Sequence, residues 1–168
     1  MNLIEPCCTQ KHWPALRRQL DDDKSVFFHG YGDLSLDELL PVIMTRYSET
    51  DMMLVCPALP DRAAELLLSW LNKTWARSDG RGHVNIIKAL TIITDAKKSP
   101  LVMGWKENNP YPERLFVRDV QQRDTALLLP DLAFYGNLNL VHQSHFTTIA
   151  TRNPCIISEL REVYTSLR

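Results

Sequence analysis

The run Asp51-Met52-Met53-Leu54-Val55-Cys56, stopped by Pro57, constrains this chain more than any other stretch. A strand wetted on one face alternates apolar with polar residues. This one is nearly continuously apolar, so it must be covered on both faces, as a central strand of a layered α/β fold is. After Leu59-Pro60-Asp61, residues Ala64, Leu67, Leu68, Leu71 and Trp75 recur at helical spacing, which predicts a helix reaching Arg77. Upstream, Ser25–His29 is a short β-prone run closed by Gly30-Tyr31-Gly32. Ser35-Leu36-Asp37-Glu38 then forms a capping box. It opens a helix with Leu36, Leu39, Leu40, Ile43 and Tyr47 on one face and a kinking Pro41 inside. Two β-then-α units in succession imply an α/β fold. Its mixed, mainly parallel central sheet carries helices on both faces.

The remaining elements follow from local signals. Ser78–His83, with its two glycines, reads as the end of the second helix and a surface turn; a phosphate cradle is the rival reading. Leu90–Asp95 is a third strand. Residues 96–113 hold three prolines and read as a long irregular loop, pinned to the core by Trp105. Arg114–Val120, Thr125–Leu129 and Leu132–Tyr135 read as an antiparallel set of short strands. Phe146–Ala150 is another strand. Asn153-Pro154 starts a last helix, with Ile156, Leu160, Val163, Tyr164 and Leu167 as its buried stripe.

Composition sets the bounds on function. Of the 168 residues 45% are hydrophobic and 23% charged, which fits one globular domain over residues 25–168 behind an irregular segment, 1–24. A net charge of −1 gives no support to phosphate-backbone clamping. No signal peptide and no membrane-length apolar run is present, so the expectation is a cytoplasmic protein without a membrane partner. Cys7, Cys8, Cys56 and Cys155 show no paired framework and read as reduced thiols. Cys7-Cys8 with His12 is too small a set to predict a metal, and no cofactor is expected.

One stretch carries a motif. Asp124-Thr125-Ala126 is followed by Asp131 and by Gly136-Asn137-Leu138-Asn139. In this order of elements the chain resembles one half of a phospholipase D superfamily fold. That family's signature is His-x-Lys, then Asp, then Gly-Ser-x-Asn. Asp124 and Ala126 occupy the His and Lys positions, Asp131 the Asp position, and Gly136 to Asn139 the final turn. The spacing from Asp131 to Gly136 is two residues shorter than the family's. The resemblance spans roughly residues 25 to 168 and is motif-like in its last third.

The resemblance implies a histidine nucleophile that attacks phosphorus, and a lysine and asparagine that hold the phosphate oxygens. An aspartate carboxylate about 4 Å from a phosphate would instead repel it by up to roughly 4 kcal/mol at an effective dielectric near 20. Ala126 supplies nothing to offset that repulsion. The expectation is therefore a degenerate motif and a non-catalytic domain, a scaffold or partner-binding protein. By the family's habits it pairs as a homodimer and is linked to DNA processing. The surviving Asp131, Gly136 and Asn139 also read as ordinary turn chemistry.

Two rivals remain open. A phosphodiesterase or nuclease with a relocated nucleophile would use His142 or His145, while His29 and His83 are weaker candidates. A nucleic-acid-binding module would use Arg114, Arg118, Arg123, Lys97 and Lys98, of which Arg114 and Arg118 share a strand face in this reading.

Overall fold

The computed structural model describes residues 2–3, 25–31, 35–138, 140 and 145–167. In chain order it runs β1 (Asn2–Leu3), β2 (Val26–Tyr31), α1 (Leu36–Ile43), β3 (Thr50–Cys56), α2 (Asp61–Leu71), β4 (Thr74–Ala76) and β5 (His83–Asn85). Then come β6 (Ile87–Thr94), α3 (Pro100–Glu107), β7 (Leu115–Asp119), β8 (Thr125–Leu128), β9 (Ala133–Asn137), β10 (His145–Thr151) and α4 (Pro154–Ser166). Eight strands form one mixed sheet in the order β1-β2-β10-β9-β8-β3-β6-β7, and β4 and β5 form a separate two-stranded ribbon. The α/β class with a mixed sheet is as the sequence implies. Parallel pairing joins β3, β6 and β7, and β1 to β2. Antiparallel pairing runs from β2 through β10, β9 and β8 to β3.

The apolar run Asp51–Cys56 behaves as its composition demands. In β3 only Asp51 is exposed. Met52, Leu54 and Cys56 face a core built with α1, α2 and α3. Met53 and Val55 face a second core, where Ile93, Ala126, Leu128 and Ala133 meet Ile157 and Tyr164 of α4. Helices thus cover both faces of the sheet.

Local signals explain most helix ends. Ser35 caps α1, and the Glu38 carboxylate accepts from the Ser35 N–H at 3.3 Å. Pro41 cannot donate to the carbonyl of Asp37, and α1 passes into a 3-10 turn at Met44. Asn153 caps α4, accepting from the N–H groups of Cys155 at 3.0 Å and Ile156 at 3.4 Å.

Several expectations are corrected. Within segment 1–24, Asn2–Leu3 is a strand, paired with β2. The second helix stops at Leu71, not Arg77, and Trp75 belongs to β4; Ser78–Gly82 is the tip of the ribbon. The supposed loop 96–113 contains the 3-10 turn Ala96–Lys98 and all of α3, opened by Pro100 in its first turn, where a missing N–H costs nothing. Trp105 is buried from that helix. Strand β7 joins no hairpin. It lies at the sheet edge, parallel to β6, and of the three strands in question β8 and β9 pair as a hairpin. On α4 the buried residues are Ile157 and Tyr164, and Val163 is 53% exposed. Cys56 is buried and Cys155 exposed, both as free thiols.

Candidate functional site

In an open α/β sheet, ligands favour the carboxyl ends of the parallel strands. Here that end carries the C-termini of β3, β6 and β7, the start of β8 and the end of β9, because β8 runs antiparallel to both its neighbours. Asp124 immediately precedes β8 and is exposed. Ala126, two residues on and hence on the same face, is fully enclosed in the α4-side core opposite Val55 and Tyr135. The Tyr164 hydroxyl is pushed up by burial and by the nearby Asp124 charge. No room for a phosphate exists at Ala126.

Asp131 sits at the other end of the β8–β9 hairpin, about 13 Å of strand away at 3.3 Å per residue. It accepts from the Tyr47 hydroxyl at 2.6 Å and from Arg152 at 2.7 Å. Partial burial pushes its carboxyl up, but the Tyr47 and Arg152 hydrogen bonds and the Arg152 charge outweigh that, leaving it below the usual range. It is a clasp among three loops, remote from Asp124.

Gly136 has φ 119, and a Cβ there would lie 2.5 Å from the Thr147 carbonyl oxygen. Only glycine lets β9 and β10 approach so closely. The Asn137 carbonyl accepts from the Thr148 hydroxyl at 3.1 Å. Asn139 and His142 lie outside the described residues, as do Cys7, Cys8 and His12. His145 is placed by its backbone, which pairs with Tyr31, and His29 pairs with Thr147. His83 is exposed at the start of β5. Among the described residues no three His, Cys, Asp or Glu side chains gather to hold a metal.

The basic candidates are dispersed, and most are committed to the fold. Arg114 precedes β7 and donates to the carbonyls of Leu71 at 2.5 Å, Ile87 at 2.7 Å and Lys88 at 3.2 Å. Arg118 donates instead to the C-terminal turn of α4, at Tyr164, Thr165 and Leu167. The two guanidinium groups therefore do not share a strand face, because Arg114 lies in the turn before β7 and reaches toward the end of α2. Lys98 pairs with Asp95 at 3.3 Å, while Lys97 and Arg123 are exposed. The neighbouring Asp119 accepts from Lys106 at 2.8 Å and from the Ala96 N–H at 2.9 Å, which hold its carboxyl below the usual range. A shallow groove of about 370 Å³ between α1 and α2 is lined by Asp37, Arg62, Leu66 and Leu140, with Arg62 3.7 Å from Asp37.

Sequence reasoning missed the β4–β5 ribbon as an element. Its register pairs Thr74 with Asn85, Trp75 with Val84 and Ala76 with His83. All three residues of β4 are exposed, Trp75 by 42%. The signal available was slight, the β-prone pair Thr74-Trp75 ahead of a glycine-rich turn. It was overridden by the helical spacing of Leu68, Leu71 and Trp75.

No family model matches the chain, and no curated protein is similar to it. Among solved structures it is similar to TrmBL2, an archaeal chromatin protein whose structure shows a novel mode of DNA binding. The TM-score is 0.50 and the identity 10%, over 93% of this chain and 56% of that one. At this identity the likeness shows the α/β fold, and the chain spans about half the length of that protein. Among the described residues no helix is long and apolar enough to cross a membrane.

Proposed function

We propose that this chain is a non-catalytic domain with a phospholipase D-like fold, acting as a scaffold or partner-binding protein and pairing as a homodimer. The observation that carries the reading is Ala126. The position the family gives to a phosphate-holding lysine is wholly enclosed beneath α4, and the adjoining Asp124 is an anion. Neither residue can neutralise a phosphoryl group, so catalysis by this motif has no electrostatic basis. The test is hydrolysis of bis(p-nitrophenyl) phosphate by the purified chain. No turnover above buffer is expected, together with a dimeric mass in light scattering. Turnover that disappears in His142→Ala or His145→Ala would replace this reading with the relocated nucleophile.

A second reading, association with DNA, is favoured by one observation: the structural neighbour is described as a DNA-binding chromatin protein. Its test is affinity for duplex DNA across a salt series, because phosphate contacts weaken steeply with salt. Salt-independent or absent binding dismisses duplex DNA as the partner.

A further inference from the structure

The ribbon stands apart from the sheet, and its residues point to a ligand that the Asp124 region does not. We propose that the β4–β5 ribbon is a binding arm for single-stranded nucleic acid. Trp75 would be the stacking platform for an unpaired base, and Arg77 and Arg81 the phosphate contacts.

The arm is held at its base. A two-stranded hairpin alone is marginally stable in water. Here Ile86 donates to the Lys73 carbonyl at 3.1 Å, Glu49 to Asn85 at 2.8 Å and Thr50 to Ile86 at 3.0 Å. Arg114 adds its bonds to the carbonyls of Leu71, Ile87 and Lys88, so one guanidinium joins the chain entering the arm to the chain leaving it. The tip is equally defined. Arg77 donates to Gly82 at 2.9 Å and Gly80 to Arg77 at 3.0 Å, with Gly80 at φ 68 and Gly82 at φ 92. The Asp79 carboxylate accepts from the Arg81 N–H at 2.9 Å, which turns the arm's acid toward its own loop.

What the arm presents is cationic and aromatic. Residues 74–85 contain Arg77 and Arg81 against a single acid, Asp79, with Lys73 and Lys88 flanking them, in a chain whose net charge is −1. Lys73 lies 3.7 Å over the Trp70 ring and is already engaged. Among the described residues neither Arg77 nor Arg81 forms an ion pair, and both are exposed. Trp75 lies directly across from Val84, and Arg77, whose backbone N–H extends the ladder to the Gly82 carbonyl, follows two residues later, about 7 Å along. A partly exposed indole with a guanidinium two residues along the chain matches an unstacked base and its phosphate. A duplex hides the faces of its bases, so the indole selects for a single strand.

This inference does not depend on the phospholipase D resemblance, because none of its residues lies near Asp124. The experiment is fluorescence anisotropy of a labelled oligothymidylate, and of an oligouridylate of the same length, titrated with the full chain at about 50 mM and about 200 mM salt. The single strands are expected to bind more tightly than a duplex of equal length. Trp75→Ala should weaken binding roughly 5- to 150-fold, and Trp75→Phe should keep most of it. Arg77→Gln with Arg81→Gln should lower the slope of log affinity against log salt by about 1.4. The proposal is overturned if neither single strand binds at about 50 mM salt, or if the duplex binds better. It also fails if Trp75→Ala binds as wild type with its far-UV spectrum intact, or if only anionic phospholipid vesicles are bound. Should Trp75→Ala lose its fold, the double arginine variant decides: a salt slope unchanged from wild type overturns the proposal.

Discussion

The Tyr47 hydroxyl donates to Asp131 at 2.6 Å, joining the turn after α1 to the β8–β9 hairpin across 84 positions of sequence. Arg152 takes the second carboxylate oxygen, so the segment leading into α4 is fastened to the same point. Burial and the Asp131 contact push the Tyr47 hydroxyl well above its ordinary pKa, while Asp131 lies below its own. A carboxylate with a lowered folded pKa contributes stability above its unfolded value, about 3.9, and loses it as pH falls through the folded value. Tyr47→Phe is therefore expected to cost about 1 kcal/mol at neutral pH in urea denaturation. Asp131→Asn should flatten the loss of stability below about pH 4. An acid limb unchanged in Asp131→Asn would remove this carboxylate from the account.

Gly136→Ala is expected to destabilise the chain by about 3 kcal/mol or more, because the new methyl meets the Thr147 carbonyl and the backbone keeps a left-handed φ. Thermal melting measures it. A shift no larger than that of a surface Gly→Ala control would show that β9 and β10 tolerate a wider spacing.

Ala126→Lys reinstates the residue that the family motif would have. The ammonium would enter a core lined by Val55, Leu128 and Ile157, where an unpaired charge costs several kcal/mol. Loss of cooperative unfolding without any gain in phosphodiester hydrolysis is expected. A folded, hydrolytic Ala126→Lys variant would show that the Ala126 position can be opened to a phosphate.

Arg118 closes the C-terminal turn of α4, donating to Thr165 at 2.9 Å and also to Leu167. Cations there satisfy orphan carbonyls and the helix dipole. Arg118→Gln should cost about 1.5–3 kcal/mol in urea denaturation while leaving any oligonucleotide affinity unchanged. A large affinity loss at unchanged stability would return Arg118 to the binding surface.

How much was legible depended on whether the signal was local. The burial of β3, the capping box at Ser35 and the Asn153-Pro154 helix start need only neighbouring residues, and each is where the sequence put it. Strand neighbours are not local. Nothing within Leu115–Asp119 says that it pairs parallel with β6 rather than with the strand that follows it, and that choice was misread. Trp75 falls at helical spacing from Leu71, and that spacing hides the ribbon. The roles of Arg114 and Arg118 depend on carbonyls 26 to 49 positions distant, beyond any local pattern.

The two stems of the ribbon are bonded to one another where they leave the body, at Lys73 and Ile86. Their ends are therefore already as close as those of a tight turn, and the connection from α2 to β6 does not need the intervening twelve residues to reach its destination. Residues 74–85 form an exchangeable cassette as long as the carbonyl that Asn85 offers to the Glu49 N–H is kept. Replacing the cassette with a short glycine-containing turn, or with a hairpin of different face chemistry, would change what the molecule meets without altering how it folds.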